Sequence, residues 1–209
     1  MLTTYNLKMP HAVYGGDNAM DNITDILKAQ GTKKVAMFTD KGIKAAGLFA
    51  LPEEAVKAAG ADYYVLDDLP AEPSYMAVQK LVDTFKESGA DMIVACGGGS
   101  VMDAAKLASV LVTDEYGVKE LLDDPGRAKK CVPVIMIPTT AGTGAEVTPN
   151  AIVAVPEKEL KVGIVNPNMI PDHVILDARM IKNLPRKIAA AYGCRCSGPL
   201  YRVLYQCQG

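Results

Sequence analysis

Apolar residues recur along the chain at two spacings, one helical and one extended. Four segments predict helices: 18–30, 52–59, 73–88 and 101–112. Four short apolar runs predict buried strands: 34–39, 63–66, 92–96 and 132–137. Because strands that alternate with helices form βαβ units, the pattern predicts an α/β fold with a Rossmann-like parallel sheet flanked by helices.

A run of three glycines, Gly97, Gly98 and Gly99, joins the strand at 92–96 to the next helix. Glycine has no Cβ, so the backbone can turn sharply there and approach a ligand closely. The start of a helix adds free N–H groups and the positive end of a dipole. We interpret the turn as a phosphate cradle. A glycine-rich turn without a ligand stays possible, because Met102 replaces the third small residue of the dinucleotide motif G-x-G-x-x-G.

Three polar residues follow this turn. Ser100 is predicted to be the N-cap of the helix, with Asp103 as its capping-box partner three residues later. Lys106 comes one turn further on. The structural alternative to a ligand-binding role is a cap for Asp103 and an exposed helix face for Lys106.

Two other segments follow predicted strands, where α/β sheets bind their ligands. Asp40 comes after the strand at 34–39, and its carboxylate suits ribose hydroxyls; from spacing alone, an N-cap is the better interpretation. Segment 138–148 holds four threonines and two glycines. Its hydroxyl and N–H groups could surround a phosphate or a carboxamide, or form a loop with hydroxyl-to-backbone turns.

Composition excludes several classes of partner. The net charge of −2 over 209 residues gives no reason to expect nucleic acid or an acidic membrane surface. No run approaches the roughly 18 apolar residues of a membrane span. The five cysteines show no disulfide spacing, which suits a reducing compartment, and we expect a cytoplasmic protein.

Two motifs together carry a family resemblance: GGGSVMDAAK at 97–106 and IPTTAGTGAEVT at 137–148. The chain resembles the iron-dependent (group III, metal-containing) alcohol dehydrogenases as far as Arg186. The resemblance implies a dehydroquinate synthase-like N-terminal domain at 1–186. It also implies NAD or NADP as cofactor, Fe²⁺ in the full-length family, and hydride transfer between nicotinamide and a small alcohol or aldehyde. A lyase-like relative is a weaker interpretation.

The resemblance also implies a role for each matching residue. The glycine turn with Ser100 is similar to the pyrophosphate cradle, and Asp40 to the NAD-favouring position at the adenosine ribose. Lys161 is similar to a lysine near the nicotinamide ribose; the alternative is an exposed lysine on a β-ribbon. Glu72 stands where such enzymes often carry asparagine. The predicted cofactor-binding residues are Asp40, Gly97, Gly98, Gly99, Ser100, Asp103, Thr139, Thr140, Thr143 and Lys161.

The end of the chain departs from the family. Members continue into an all-helical domain that holds the metal, whereas residues 187–209 form a short tail without family likeness. A reading-frame change near residue 192 would explain this, since the codons from Arg195, read one base on, permit Asp-Ala-Leu-Ala-His. His11 and His173 lie in no metal-type cluster, so no metal ligand and no catalytic residue is predicted.

These observations predict the cofactor-binding part of a dehydrogenase, itself inactive. The alternative is a stand-alone nucleotide-binding or regulatory module without catalysis. A missing domain would expose apolar surface, so we expect a homo-oligomer.

Overall fold

Six parallel strands form one sheet in the computed structural model, which describes residues 8–112 and 115–182. The spatial order is β1–β8–β5–β4–β2–β3, and each neighbouring pair is parallel. The strands are β1 (Ala12–Gly15), β2 (Lys34–Phe38), β3 (Asp62–Leu66), β4 (Met92–Gly97), β5 (Val134–Pro138) and β8 (His173–Leu176). Strands β6 (Asn150–Val155) and β7 (Leu160–Val165) form a separate antiparallel ribbon. The predicted Rossmann-like parallel sheet is confirmed.

In the described residues, six α-helices connect the strands. They are α1 (Asn22–Gln30), α2 (Lys41–Ala45), α3 (Ala50–Ala59), α4 (Tyr75–Ser88), α5 (Gly99–Val110) and α6 (Val118–Asp123). The helix predicted from residue 18 begins later, because Asn18 adopts a left-handed φ of 62° and leads into a 3-10 turn. The helix predicted from residue 73 begins after Ser74, whose Oγ accepts a hydrogen bond from the Ala77 N–H at 3.2 Å.

Both faces of the sheet are buried, and successive strand residues face opposite sides. Ala36 and Phe38 of β2 pack under α4 and α5, whereas Val35 and Met37 pack under α1 and α3. This two-sided burial explains the unbroken apolar runs, since each strand must supply a core on both faces. The ribbon adds Val153 and other apolar residues to the core on the α5 side.

The chain changes direction across the sheet between β2 and β4. From β2 it runs outward to β3, and from β4 it runs the other way to β5. The carboxyl ends of β2 and β4 therefore flank a crevice where the strand order reverses, which is where open α/β sheets bind ligands. The predicted domain boundary at 186/187 and the tail at 187–209 lie outside the described residues. No helix in the described part of the chain is long and apolar enough to cross a membrane.

Candidate functional site

Two adjoining grooves lie at the carboxyl edge of the sheet. The first, which we call the Asp40 groove, encloses about 540 Å³ beside the ends of β2, β4 and β5. The second, the Lys161 groove, encloses about 380 Å³ between α5 and the ribbon. The two grooves share Ala71, Gly99 and Ser100 as lining residues. Nine of the ten predicted cofactor-binding residues line one groove or both, namely Asp40, Gly98, Gly99, Ser100, Asp103, Thr139, Thr140, Thr143 and Lys161.

The three glycines of the turn are required for different reasons. A Cβ on Gly97 would lie 2.7 Å from the Val101 side chain, so this glycine permits the tight approach of α5 to β4. A Cβ on Gly98 would lie 3.6 Å from Thr140 Cγ2, and one on Gly99 would lie 3.4 Å from Thr143 Cγ2. Both of these added carbons would occupy space at the grooves. Gly97 itself lines neither groove.

The predicted cap of α5 is wrong. The N-cap residue is Gly98, whose carbonyl accepts the first helical hydrogen bond from Met102 N–H at 3.1 Å. Ser100 lies inside the first turn, and its Oγ donates to the carbonyl of Ala71 at 3.0 Å. Because glycine caps the helix through its backbone alone, the N–H groups of the first turn face the groove without competition from a capping side chain.

Asp40 serves as an N-cap, as spacing alone favoured. Its Oδ1 accepts a hydrogen bond from the Ile43 N–H at 2.9 Å and so begins α2. Asp40 is half-buried and lines the groove that bears its name. An ionised carboxylate has room for further hydrogen bonds, so the cap leaves capacity for a ligand.

Threonines from the segment after β5 line the other side of the glycine turn. Thr139 and Thr140 each have a buried hydroxyl oxygen without a hydrogen-bond partner among the described residues. Buried hydroxyls are normally paired, so two adjacent orphans in one groove suit a polar ligand. Thr143 is exposed, and its Oγ1 accepts a hydrogen bond from the Ala145 N–H at 3.3 Å.

An ion pair spans the Lys161 groove. Lys161 lies on β7, and its Nζ is 2.7 Å from Oε1 of Glu72, which follows β3. The neighbouring ammonium group lowers the pKa of the Glu72 carboxyl. Tyr75 makes a similar link, since its hydroxyl donates to Glu157 Oε1 at 2.7 Å. The ribbon is thus joined to the start of α4 by two side-chain contacts.

Asp103 and Lys106 are buried, which contradicts both structural alternatives stated for them. Lys106 is 0% exposed, and its Nζ lies 2.8 Å from Asp103 Oδ1. Asp103 Oδ2 accepts a hydrogen bond from the Ile152 N–H at 3.0 Å, so the residue caps no helix. The missed signal is the composition of α5. Apolar residues occupy every face of this helix, and a helix of that kind is buried on all sides together with its charged residues.

The buried Cys96 and the two histidines of the described chain lie outside the lining of both grooves. Burial raises the pKa of the Cys96 thiol to about 12, so it stays protonated at neutral pH. His173 and His11 stack edge to face at the opposite end of the strands, with ring centroids 5.7 Å apart. Across 8–112 and 115–182, no three His, Cys, Asp or Glu side chains cluster in a way that could hold a metal ion.

Comparison with known sequences identifies a family. The family model for iron-containing alcohol dehydrogenase matches residues 10–178. Lactaldehyde reductase of Escherichia coli K12 is 34% identical over 180 residues, which are 85% of this chain and 47% of the relative. The chain thus spans about half the length of the curated relatives it matches.

Solved structures agree with that match. A crystal structure of 1,3-propanediol oxidoreductase superposes with a TM-score of 0.86 at 25% identity, covering 92% of this chain and 50% of that one. Sulfoacetaldehyde reductase from Bifidobacterium kashiwanohense, solved in complex with NAD⁺, gives a TM-score of 0.83 at 26% identity, with 92% and 51% covered.

Proposed function

Because this chain belongs to the iron-containing alcohol dehydrogenase family, we propose that residues 1–186 form the NAD-binding half of an alcohol or aldehyde oxidoreductase. One observation carries the proposal. The glycine turn at the start of α5 shares a groove with two buried threonine hydroxyls, Thr139 and Thr140, that have no partner in the described part of the chain, and this groove lies where the strand order reverses. That combination suits a pyrophosphate, since helix N–H groups and hydroxyls would share its oxygens.

The two grooves suggest how a dinucleotide would lie. The adenosine ribose would donate hydroxyl hydrogen bonds to Asp40, and the same carboxylate would repel a 2′-phosphate, which favours NAD over NADP. The pyrophosphate would lie against the turn at Gly98 and Gly99. The nicotinamide half would enter the Lys161 groove beside Thr143 and Lys161. The relative solved with NAD⁺ supports this cofactor class.

When bound, the cofactor supplies or accepts the hydride, and the protein supplies position and field. The residues of this chain bind and orient it: Asp40 selects the ribose, the helix start neutralises phosphate charge, and Lys161 donates to a ribose hydroxyl once it leaves Glu72. The described residues offer no cluster fit for iron, so our proposal for them is cofactor binding without turnover. Residues 187–209 are proposed to be a tail outside this domain.

Titration calorimetry of the chain with NADH and NADPH tests this function. We expect NADH to bind, NADPH to bind at least about tenfold more weakly, and an Asp40→Ala/Gly99→Val double variant to bind neither. Circular dichroism of the double variant checks that the sheet has formed. Absence of NADH binding to the folded wild-type chain at millimolar cofactor would contradict the proposal.

We also propose a cytoplasmic homo-oligomer. Val13 of the edge strand β1, Leu176 at the end of β8 and Ile181 expose apolar side chains, and such surfaces favour association. Cys96 and Cys131 are free thiols, which suits a reducing compartment. A monodisperse monomer in light scattering would overturn the oligomer.

A further inference from the structure

A single buried ammonium group sits among oxygens from separate parts of the chain. Lys106 Nζ on α5 lies 2.8 Å from Asp103 Oδ1 and 2.9 Å from the carbonyl oxygen of Ala145. It also donates to the carbonyl of Asn150, and the carbonyl of Thr148 lies 3.5 Å away. No part of Lys106 is exposed to solvent.

The oxygens form a site for a cation, and the ammonium group of Lys106 occupies it. An ammonium group has three donors, and four oxygens surround it here, so every N–H can be satisfied. Isolated burial of a charge is costly, and burial lowers the pKa of Lys106, while the Asp103 carboxylate opposes that shift. Asp103 and Lys106 are the two charged residues of α5, and the cost of burying Lys106 is offset by the oxygens that surround its ammonium group.

The oxygens come from three walls of the Lys161 groove. Asp103 belongs to α5, which starts at the glycine turn. Ala145 and Thr148 belong to the segment that carries Thr143, and Asn150 begins β6. Asp103 reinforces the link, because its second oxygen accepts the Ile152 N–H. None of the residues that supply these acceptor oxygens lines the Asp40 groove.

We propose that Lys106 is a positioning residue that holds the three walls of the Lys161 groove together. It thereby sets the site for the nicotinamide half of the dinucleotide and leaves the adenosine half independent. The inference rests on the proposed function, which assigns those halves to the two grooves. Lys106 itself touches no ligand; it acts through Thr143 and through the ribbon that carries Lys161.

The test compares NADH with ADP, which lacks the nicotinamide half. In Lys106→Met we expect NADH affinity to fall at least about tenfold while ADP affinity stays within about twofold of wild type. Lys130→Met is the matched control, because Lys130 is also partly buried and pairs with Asp172 at 3.2 Å, but at the far end of the strands. Unchanged NADH affinity in Lys106→Met would overturn the proposal, as would a parallel loss of ADP.

A second measurement needs no cofactor. Hydrogen exchange of the ligand-free chain should speed up at residues 143–155 in Lys106→Ala and stay unchanged at residues 34–46. Propylammonium, which can refill the space as a free cation, should restore slow exchange, whereas tetramethylammonium, which has no N–H donor, should not. Unchanged exchange at residues 143–155 would refute the positioning role, whether or not the wild-type chain binds a nucleotide. Failure of the wild-type chain to bind either nucleotide would count against the proposed function alone.

Discussion

The two grooves meet at Ala71, Gly99 and Ser100, yet they are built by different means. The Asp40 groove takes most of its polar groups from the ends of regular elements: helix N–H groups, a capping carboxylate and buried threonine hydroxyls. The Lys161 groove is held by charged side chains that join separate segments: Lys106 of α5 donates to the carbonyls of Ala145 and Asn150, and Lys161 of the ribbon pairs with Glu72. The first should therefore be sensitive to added carbon atoms, and the second to changed charges.

The largest effect is expected at Gly98. Its φ of −83° suits any residue, and an added Cβ would make only ordinary contact with Thr140. Gly98→Ala should therefore fold normally, but its methyl group would lie beside Thr140 and fill space in the Asp40 groove. We expect calorimetry to show a loss of NADH and ADP affinity of about 100-fold, or about 2.7 kcal/mol.

Gly163→Ala is the matched control for this change. Gly163 lies on the ribbon, and apart from its chain neighbours no described residue comes within 4 Å of its added Cβ. Its NADH affinity should match wild type. If Gly98→Ala binds NADH as wild type does, backbone approach at the turn is not what builds the Asp40 groove.

An intermediate effect is expected from the unpaired hydroxyls. Thr139→Val and Thr140→Val keep the shape of the side chain and remove a buried oxygen that has no partner among the described residues. Each should lower NADH affinity about tenfold while the melting temperature stays equal or rises, because an unsatisfied buried group is lost.

Thr39→Val separates the effect on melting temperature from the effect on NADH affinity. Thr39 is 1% exposed, and its hydroxyl is likewise unpaired within the described chain, but it lines neither groove. The variant should melt as the others do and bind NADH like wild type. A fall in melting temperature for all three variants would show that the hydroxyls serve the fold and not a ligand.

The smallest effect is expected at Glu72, and its sign is opposite. Glu72→Gln frees Lys161 from an exposed ion pair, so NADH should bind about twofold to fivefold more tightly. In a Lys161→Met background the same change should have no effect. Equal tightening in both backgrounds would mean that Glu72 acts only by repelling the phosphates.

Acidity provides a further check on that pair. The hydrogen bond from the Lys161 ammonium lowers the pKa of Glu72. The carboxylate therefore stays charged throughout the neutral pH range, and the ion pair is lost only when the pH falls through this lowered pKa. The tightening caused by Glu72→Gln should therefore be equal at about pH 6 and about pH 8.

More of the sheet than of the candidate site could be predicted from the sequence. Buried strands and amphipathic helices carry strong periodic signals, so eight predicted segments correspond to observed elements. Strand β1 has only four residues, and α2 depends on one cap at Asp40; such short elements owe their form to neighbours. No strand was predicted at β1, and for α2 only its cap at Asp40 was predicted.

The candidate site likewise depends on residues that are distant in sequence. The glycine turn was located correctly because its conformational demand is local. The roles of Ser100 and Lys106 depend on Ala71, Ala145 and Asn150, which are distant in sequence, and local spacing suggested a cap and an exposed face instead. Charged residues on a helix are exposed by default, and only the apolar surroundings of α5 argued otherwise.

The placement of β8 between β5 and β1 has a consequence for how the chain comes to be folded during synthesis. Ala12 pairs with His173, and among the described residues β8 is the one strand that pairs with β1. Strands β2, β3, β4 and β5 can pair as they leave the ribosome, whereas β1 must wait until β8 has been made. Among the described strands, the earliest in sequence thus finds its partner latest, and this long-range pairing raises the contact order of the fold, which slows folding.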